Sequence, residues 1–351
     1  MDFSKLSSQL VKHTLEFKFL AKTSRDELRT KDTWFLSLTD KAGVTGIGEC
    51  SIIPGLSTEK PEAFEKKLNH VAENFSEYQN YHESLVKFPA IRFGIETALL
   101  DLKTGGKRHL FPTDFTLKKK PMPINGLVWM GDKAFMSKQV KEKIEAGFSC
   151  IKLKIGALDF EQELEILKSI RSEYSAKDIE IRVDANGAFS LDDALEKLFR
   201  LSDYDLHSIE QPIKQGQPDE MAALCQFSAI DIALDEELIG VHSLAKKKAL
   251  LEIIQPQYII LKPSLLGGFK ACEEWISIAK SSGINYWNTS ALEANIGLNA
   301  ISQWTSSLNN PLPQGLGTGG LYHNNIPSPL TVSNGEIFYD GDLGWDLSVL
   351  K

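Results

Sequence analysis

Three acids stand at equivalent places in consecutive segments of the chain. Asp184 closes Ile179–Asp184, Glu210 closes His207–Glu210, and Asp235 follows Asp231–Leu234. Each segment is short and apolar, in the manner of a buried strand. The acids are 26 and 25 residues apart, one strand-plus-helix unit each. Neighbouring strands of a parallel sheet would then point three carboxylates into one small space. Like charges so placed repel and raise one another's pKa. A hard divalent cation resolves the conflict, and an oxygen-only ligand set suits Mg²⁺. One such acid alone would as readily cap a helix or face water. Three in consecutive units argue together for a metal site.

The bases follow the same logic. Lys152 and Lys154 end the segment Cys150–Lys154. Being two apart on a strand, they project from one face, the interior of a closed sheet. Two ammonium groups there repel, and a nearby dication adds to the repulsion. Both effects lower a lysine pKa and make a neutral amine available as a proton acceptor. Lys262 follows Tyr258–Leu261 and comes from the opposite side of the ring. A lone strand-end lysine would simply snorkel to solvent; three beside three acids point to chemistry. Arg182 and Asn186 flank Asp184 at two residues either side, placed to share its face.

These residues need a scaffold that brings strand ends together. From about Pro121 the chain alternates apolar strands with amphipathic segments. The expected strands are Pro123–Val128, Cys150–Lys154, Ile179–Asp184, His207–Glu210, Asp231–Leu234, Tyr258–Leu261, Asn285–Asn288 and Gln314–Gly317. The expected helices are Lys133–Ala146, Phe160–Glu173, Leu191–Leu201, Met221–Phe227, Ser243–Leu251, Gly268–Ser281 and Ala294–Ser306. Eight such units fit a (β/α) barrel, which collects its chemistry at the C-terminal strand ends. No GxGxxG follows the first strand, and GLGTG at Gly315–Gly319 lacks the rest of a dinucleotide unit.

The first third reads as α+β. Leu10–Ala21 alternates as a strand, and Thr33–Leu38 and Val44–Gly48 flank a turn at Asp40–Gly43. Ile52–Ser57 reads as a loop, and Ser57 or Thr58 caps a helix running to about Phe75. A second helix fits Ala90–Lys103. Residues 1–120 are expected to form an α+β capping domain completed by about 330–351, with the barrel over 121–329.

With 351 residues, 42% hydrophobic and 25% charged, the chain suits a large barrel plus a second domain. The net charge of −8 argues against nucleic acid and against an anionic membrane surface. The four cysteines are scattered without a CxxC pair, so reduced thiols in a cytoplasmic protein are the simplest reading. The first twenty residues carry charge throughout and show no signal-peptide core, and no apolar run spans a bilayer.

The order Lys-x-Lys, Asp, Glu, Asp, Lys on successive strand ends resembles the muconate-lactonising branch of the enolase superfamily. That superfamily is known for a lysine base with Mg²⁺ stabilising an ene-diolate. Within the branch, GIGECSIIPGLS (Gly46–Ser57), INGLVWMG (Ile124–Gly131) and GLGTGGLYHNNIPSPL (Gly315–Leu330) are similar to stretches of the o-succinylbenzoate synthases. The resemblance implies a modified TIM barrel under a capping domain, with Asp184, Glu210 and Asp235 holding Mg²⁺, for which Mn²⁺ substitutes. It makes Lys154 the base, Lys152 its neighbour holding the substrate carboxylate, and Lys262 a positive charge on the other face. Arg182, Asn186 and Ser290 become substrate contacts, and Glu236 a residue orienting Lys262. The implied reaction is loss of water from a hydroxycyclohexadiene carboxylate to give 2-succinylbenzoate, a menaquinone precursor. The implied partner is a small-molecule carboxylate. An N-succinylamino acid racemase or dipeptide epimerase would use the same set, but Pro311–Tyr322 holds no acid to receive a dipeptide's ammonium. A non-catalytic barrel used for binding would be expected to have lost part of the six-residue set.

Overall fold

The structure, a computed structural model, describes residues 1–22 and 27–350. Alternating apolar and polar residues make Ser7–Lys22 and Glu27–Thr39 two long antiparallel strands. Thr45–Cys50 adds a third, pairing antiparallel with the second. The turn between them is built by Asp40, whose carboxylate accepts from the N–H groups of Ala42 and Val44 at 2.9 and 3.0 Å. The helix Pro89–Lys103 lies directly on this third strand. Glycine permits that approach: a Cβ at Gly48 would sit 1.9 Å from the Gly94 carbonyl oxygen. The other long helix of this region covers Pro61–Glu73, later in starting than Ser57 or Thr58 and shorter than expected. Pro61 sets the first helical turn, while the Ser57 hydroxyl accepts from Ile53 N–H at 2.9 Å and so stays in the preceding loop.

Seven of the remaining strands form one parallel sheet: Gly126–Val128, Cys150–Lys154, Glu180–Asp184, Ser208–Glu210, Ile232–Leu234, Tyr258–Leu261 and Asn285–Asn288, paired in chain order. Helices Lys133–Glu145, Phe160–Glu173, Ala194–Leu201, Pro218–Phe227, Leu244–Ile254, Phe269–Ser281 and Asn295–Ser307 follow them. The outward residues of the strands, such as Ile151, Leu153, Val183, Ile209, Leu234, Ile259 and Leu261, pack under these helices as the main core. Each such fully buried side chain contributes roughly 1.5–3 kcal/mol. Inward residues make a separate plug of Ala233, Ile260 and Trp287 at the barrel floor.

Two expected strands differ. Pro123–Val128 is divided: Met122–Pro123 pairs with Glu336 and Ile337 of a C-terminal hairpin, and only Gly126–Val128 enters the barrel. Ile124 donates its N–H to Gly335, which turns the chain between the two sheets. The eighth strand, expected at Gln314–Gly317, is reduced to two bridges, Gln314 to Ile124 and Gly315 to Thr289, before a 3-10 turn over Gly317–Leu321. The ring therefore closes through single residues. The chain end divides its contacts. Leu330–Ser333 and Glu336–Tyr339 form the hairpin under the barrel, whereas Trp345, Leu347 and Val349 pack against the apolar cluster that contains Leu15 and Phe17 of the first strand. Lys351, last of the expected tail, lies outside the described residues. No helix among the described residues is long and apolar enough to cross a membrane.

Candidate active site

Register sets the layers of the barrel interior. Lys154 pairs with Asp184 and Asp184 with Glu210, so these three share one level at the C-terminal ends of adjacent strands. Lys152 lies one layer deeper, beside Leu127 and Arg182. Asp235 and Lys262 follow directly on the next two strands. Lys152 Nζ contacts both Glu210 and Asp184, the latter at 3.0 Å. Lys154 Nζ donates to Asp184 at 3.0 Å and to Asn186 Oδ1 at 2.6 Å. Across the ring, Lys262 Nζ contacts Asp235 and stands 3.9 Å from Glu210 Oε1. Asn186 has a left-handed backbone (φ 44°), which turns its amide over the site. Its Nδ2 donates to Glu236 Oε1 at 3.1 Å, so Lys154, Asn186 and Glu236 form one chain.

Above this cluster opens a cavity of about 380 Å³, a size suited to a small molecule. Its base is lined by Lys152, Lys154, Asp184, Asn186, Glu236 and Lys262. Its walls are largely apolar, with Phe19, Leu28, Ile53, Pro54 and Leu56 from the first domain facing Leu127, Trp129, Phe135 and Phe148 from the barrel. Ser290 lines it too, its hydroxyl paired with that of Thr318 at 2.7 Å.

Residues 136–347 match the family described as Enolase C-terminal domain-like, and residues 8–102 match the family described as MenC, N-terminal domain. An o-succinylbenzoate synthase from Desulfotalea psychrophila is 48% identical, over 92% of this chain and 95% of that protein. The chain belongs to the o-succinylbenzoate synthase family of the enolase superfamily. The crystal structure of MenC from Desulfotalea psychrophila LSv54 superposes with a TM-score of 0.84 at 44% identity, covering 95% of this chain and 99% of that one. A dipeptide epimerase from Enterococcus faecalis V583, complexed with Mg and a dipeptide, shares the fold at 19% identity. Its TM-score is 0.81, over 95% of this chain and 97% of that one.

For this superfamily member the electrostatics correct one expectation. Lysine repulsion reinforced by a nearby dication is expected to lower the lysine pKa values, and the protein's own groups alone do not do so at Lys152 or Lys262. Burial does press Lys152 down, but the carboxylates of Asp184, Glu210 and Asp235 outweigh it, and Lys152 is raised. Lys262 is raised for the same reason, burial being overcome by Asp235 and Glu210. Asp184 shows the reciprocal effect. Burial favours its neutral form, yet Lys152, Lys154 and Lys262 together hold it far below the usual carboxylate range. Glu210 goes the other way: burial, then the charge of Asp184, push it well above that range. The cluster's charge is thus unevenly met, and Glu210 Oε1 is buried without a hydrogen bond. In this side-chain arrangement no three acids among the described residues share a point as ligands, because lysine ammonium groups lie against them. The donor set itself, three buried carboxylates with an oxygen to spare, fits a hard divalent cation.

Arg182 is a second correction. It shares the interior face with Asp184, but its guanidinium turns to the floor. There it donates to Glu180 at 2.7 Å and to the Pro313 carbonyl at 2.9 Å, and lies over the Trp287 ring at 4.2 Å. It does not line the cavity. Two residues along a strand span about 6.5 Å, a whole layer, so a shared face is not a shared site.

Sequence reasoning missed a buried charged group behind the cavity wall: Lys31 and Glu49 from the first domain, and Glu293 after the seventh barrel strand. Burial raises Glu49 and lowers Lys31, each opposed by the other's charge. The available signal was an acid in an otherwise uncharged run, Ser290–Ser302.

Proposed function

We propose that this protein is an o-succinylbenzoate synthase. It removes water from 2-succinyl-6-hydroxy-2,4-cyclohexadiene-1-carboxylate and yields 2-succinylbenzoate, as in menaquinone biosynthesis. The observation that carries the reading is the convergence of Lys152 and Lys154 from one side and Lys262 from the other on Asp184, Glu210 and Asp235, in a chain 48% identical to such a synthase.

In this reading Asp184, Glu210 and Asp235 hold Mg²⁺, and the raised, partly unpaired Glu210 is the ligand with most to gain. Bound there, the ion supplies positive charge toward the substrate carboxylate as that group gains electron density. A cation held by these carboxylates would offset the negative charge that faces Lys152 and Lys262, on which burial already acts toward the neutral form. Lys154, on the cavity floor with Asn186 orienting its Nζ, takes the proton from the carbon bearing the carboxylate. The C–H pair becomes the new ring double bond as the C–O bond at the neighbouring carbon breaks. The ammonium of Lys154 returns the same proton to the departing hydroxyl, which leaves as water. Lys152 pairs with the carboxylate from below. Lys262 stays cationic opposite the base and stabilises the negative charge that develops. Residues 1–120 act as a cap, whose apolar wall of Phe19, Leu28, Ile53 and Leu56 covers the methylenes of the succinyl arm and keeps water out.

The test is direct. The purified protein, with Mg²⁺ and the cyclohexadiene substrate, should form 2-succinylbenzoate and should stop on chelation. Folded, Mg²⁺-loaded protein that leaves this substrate untouched would refute the reading.

A further inference from the structure

Glu293 immediately precedes Ala294, the cap residue of helix Asn295–Ser307, and is fully buried at 0% exposure. It takes no part in capping that helix. The cap comes from Glu49 of the first domain, whose two oxygens accept from the N–H groups of Ala294 and Gly297 at 2.7 and 2.8 Å. Glu293 turns the other way. One oxygen accepts from Ala291 N–H at 2.6 Å, and the other accepts from the Ser264 hydroxyl. Ala291 belongs to the cavity wall beside Ser290. Ser264 lies two residues beyond Lys262, in the tight turn Pro263–Leu266. That turn is rigid: the N–H groups of Leu265 and Leu266 return to the Lys262 carbonyl at 2.9 and 3.0 Å.

One buried carboxylate therefore ties the segment that carries Lys262 to the wall that carries Ser290. An acid is a costly way to fill a core. Packing alone would be better served by an apolar side chain, and Lys31, a buried cation that feels the charge of Glu293, is lent by the other domain. What the carboxylate adds is two directed hydrogen bonds to two different strand ends.

We propose that Glu293, acting through Ser264, is a positioning residue for Lys262: it fixes where the ammonium stands relative to the cavity wall. This rests on the reading of Lys262 as the charge opposite the base. A displaced cation loses stabilisation chiefly at the transition state, so the effect falls on kcat more than on KM.

The experiment is a double-mutant cycle on 2-succinylbenzoate formation by the Mg²⁺-loaded full chain: wild type, Ser264→Ala, Lys262→Ala and the double variant, with Ser264→Thr as the conservative control. Melting temperature is followed throughout. Ser264→Ala removes one hydroxyl and retains the fold. It should lower kcat about tenfold with KM within about twofold. Ser264→Thr keeps the donor and should recover most of the rate. In the Lys262→Ala background, Ser264→Ala should cost nothing more. Glu293→Gln, run through the same cycle, should behave like Ser264→Ala. An equal loss in both backgrounds, with Lys262→Ala itself impaired, would overturn the positioning role while leaving Lys262 its function. An unimpaired Lys262→Ala would overturn both.

Discussion

At the floor of the barrel, Arg182 has partners on three sides, although its Nη2 is buried with an ion-pair contact to Glu180 and no hydrogen bond. Glu180, the Pro313 carbonyl and the Trp287 ring each meet one part of its guanidinium. Two residues further along the same strand, Asp184 stands among three ammonium groups, and its neighbour Glu210 is left with an unbonded oxygen and a strongly raised pKa. Both layers are buried and both are charged. The floor sets one cation against a carboxylate, a carbonyl and a ring, and leaves a single nitrogen without a hydrogen bond. The mouth holds charges that neutralise one another in sum yet fail to satisfy one another in geometry. Buried charge that is fully met contributes to a unique fold. Buried charge that is incompletely met is poised for a ligand.

The two layers should therefore respond oppositely to substitution. The largest effect belongs to the mouth. Lys154→Ala should lower kcat by about 10³-fold or more while the melting temperature and substrate binding hold, measured by initial rates and calorimetry. Substantial turnover in Lys154→Ala with none in Lys152→Ala would exchange the roles of the two lysines. Next comes Glu210→Gln, which should weaken Mg²⁺ binding by about 100-fold or more in a metal titration. In metal-free protein the same change should not lower stability, because it removes a charge that Asp184 and burial already oppose. A large fall in the metal-free melting temperature would show that Glu210 belongs with the satisfied floor.

Arg182→Met is the reverse case. It should cost about 2–4 kcal/mol of stability by leaving Glu180 and the Pro313 carbonyl unmet. Activity per folded molecule should stay within a few-fold of wild type, and a loss of kcat without loss of stability would return Arg182 to the active site.

The smallest effect sharpens the comparison with a third kind of buried charge. Glu96, on the helix Pro89–Lys103, accepts from the Phe269 and Lys270 N–H groups at the start of a barrel helix. Burial pushes its carboxyl up to about 7 from an ordinary 4.5, against those hydrogen bonds. A raised folded pKa means that the native state binds more protons than the unfolded chain in that window. The stability linked to it is complete below about pH 4.5 and lost as pH rises through about 7. The size is on the order of 1–3 kcal/mol. Denaturation at several pH values should show this slope in wild type and its absence in Glu96→Gln. Equal slopes in the two proteins would discount the shift.

Much of the site is legible in the sequence because strand ends are conspicuous. An acid or lysine closing a short apolar run is easily seen, and the spacing of Asp184, Glu210 and Asp235 places them on neighbouring strands. Depth is harder to see. Alternation says which face Arg182 occupies, but the layer depends on partners from distant strands, here Pro313 and Trp287. The sign of the local field is harder still. The effect of three acids on Lys152 follows from distances that spacing does not supply. Glu49 and Glu293 escaped notice because their partners, Ala294, Gly297 and Ser264, are backbone groups and a hydroxyl from other elements. In the fold, most long periodic segments lie within a few residues of their expected bounds. The strand expected at Thr33–Leu38, however, runs over Glu27–Thr39, because its first half carries the charges of Glu27, Arg29, Lys31 and Asp32 and shows no apolar alternation. Pro123–Val128 and Gln314–Gly317 differ because the first serves two sheets in succession and the second pairs only through single bridges, not along one continuous ladder.

The seam has a consequence of its own. Six neighbouring pairs in the ring are stitched by strand ladders, but the circle is completed only where Gln314 meets Ile124 and Gly315 meets Thr289. Four backbone hydrogen bonds span it, from Gln314 to Pro123, Asn125 to Gln314, Gly315 to Asn288 and Ser290 to Gly315. A hoop with one light fastening yields at the fastening. Amide deuteration should run fastest around residues 314–318 and slow steadily toward the opposite strands, so the barrel breathes like a cuff rather than a rigid tube. Gly315 and Thr318 also form part of the cavity wall, so an opening of the seam would reach the chamber before it reached the strands that hold the charges.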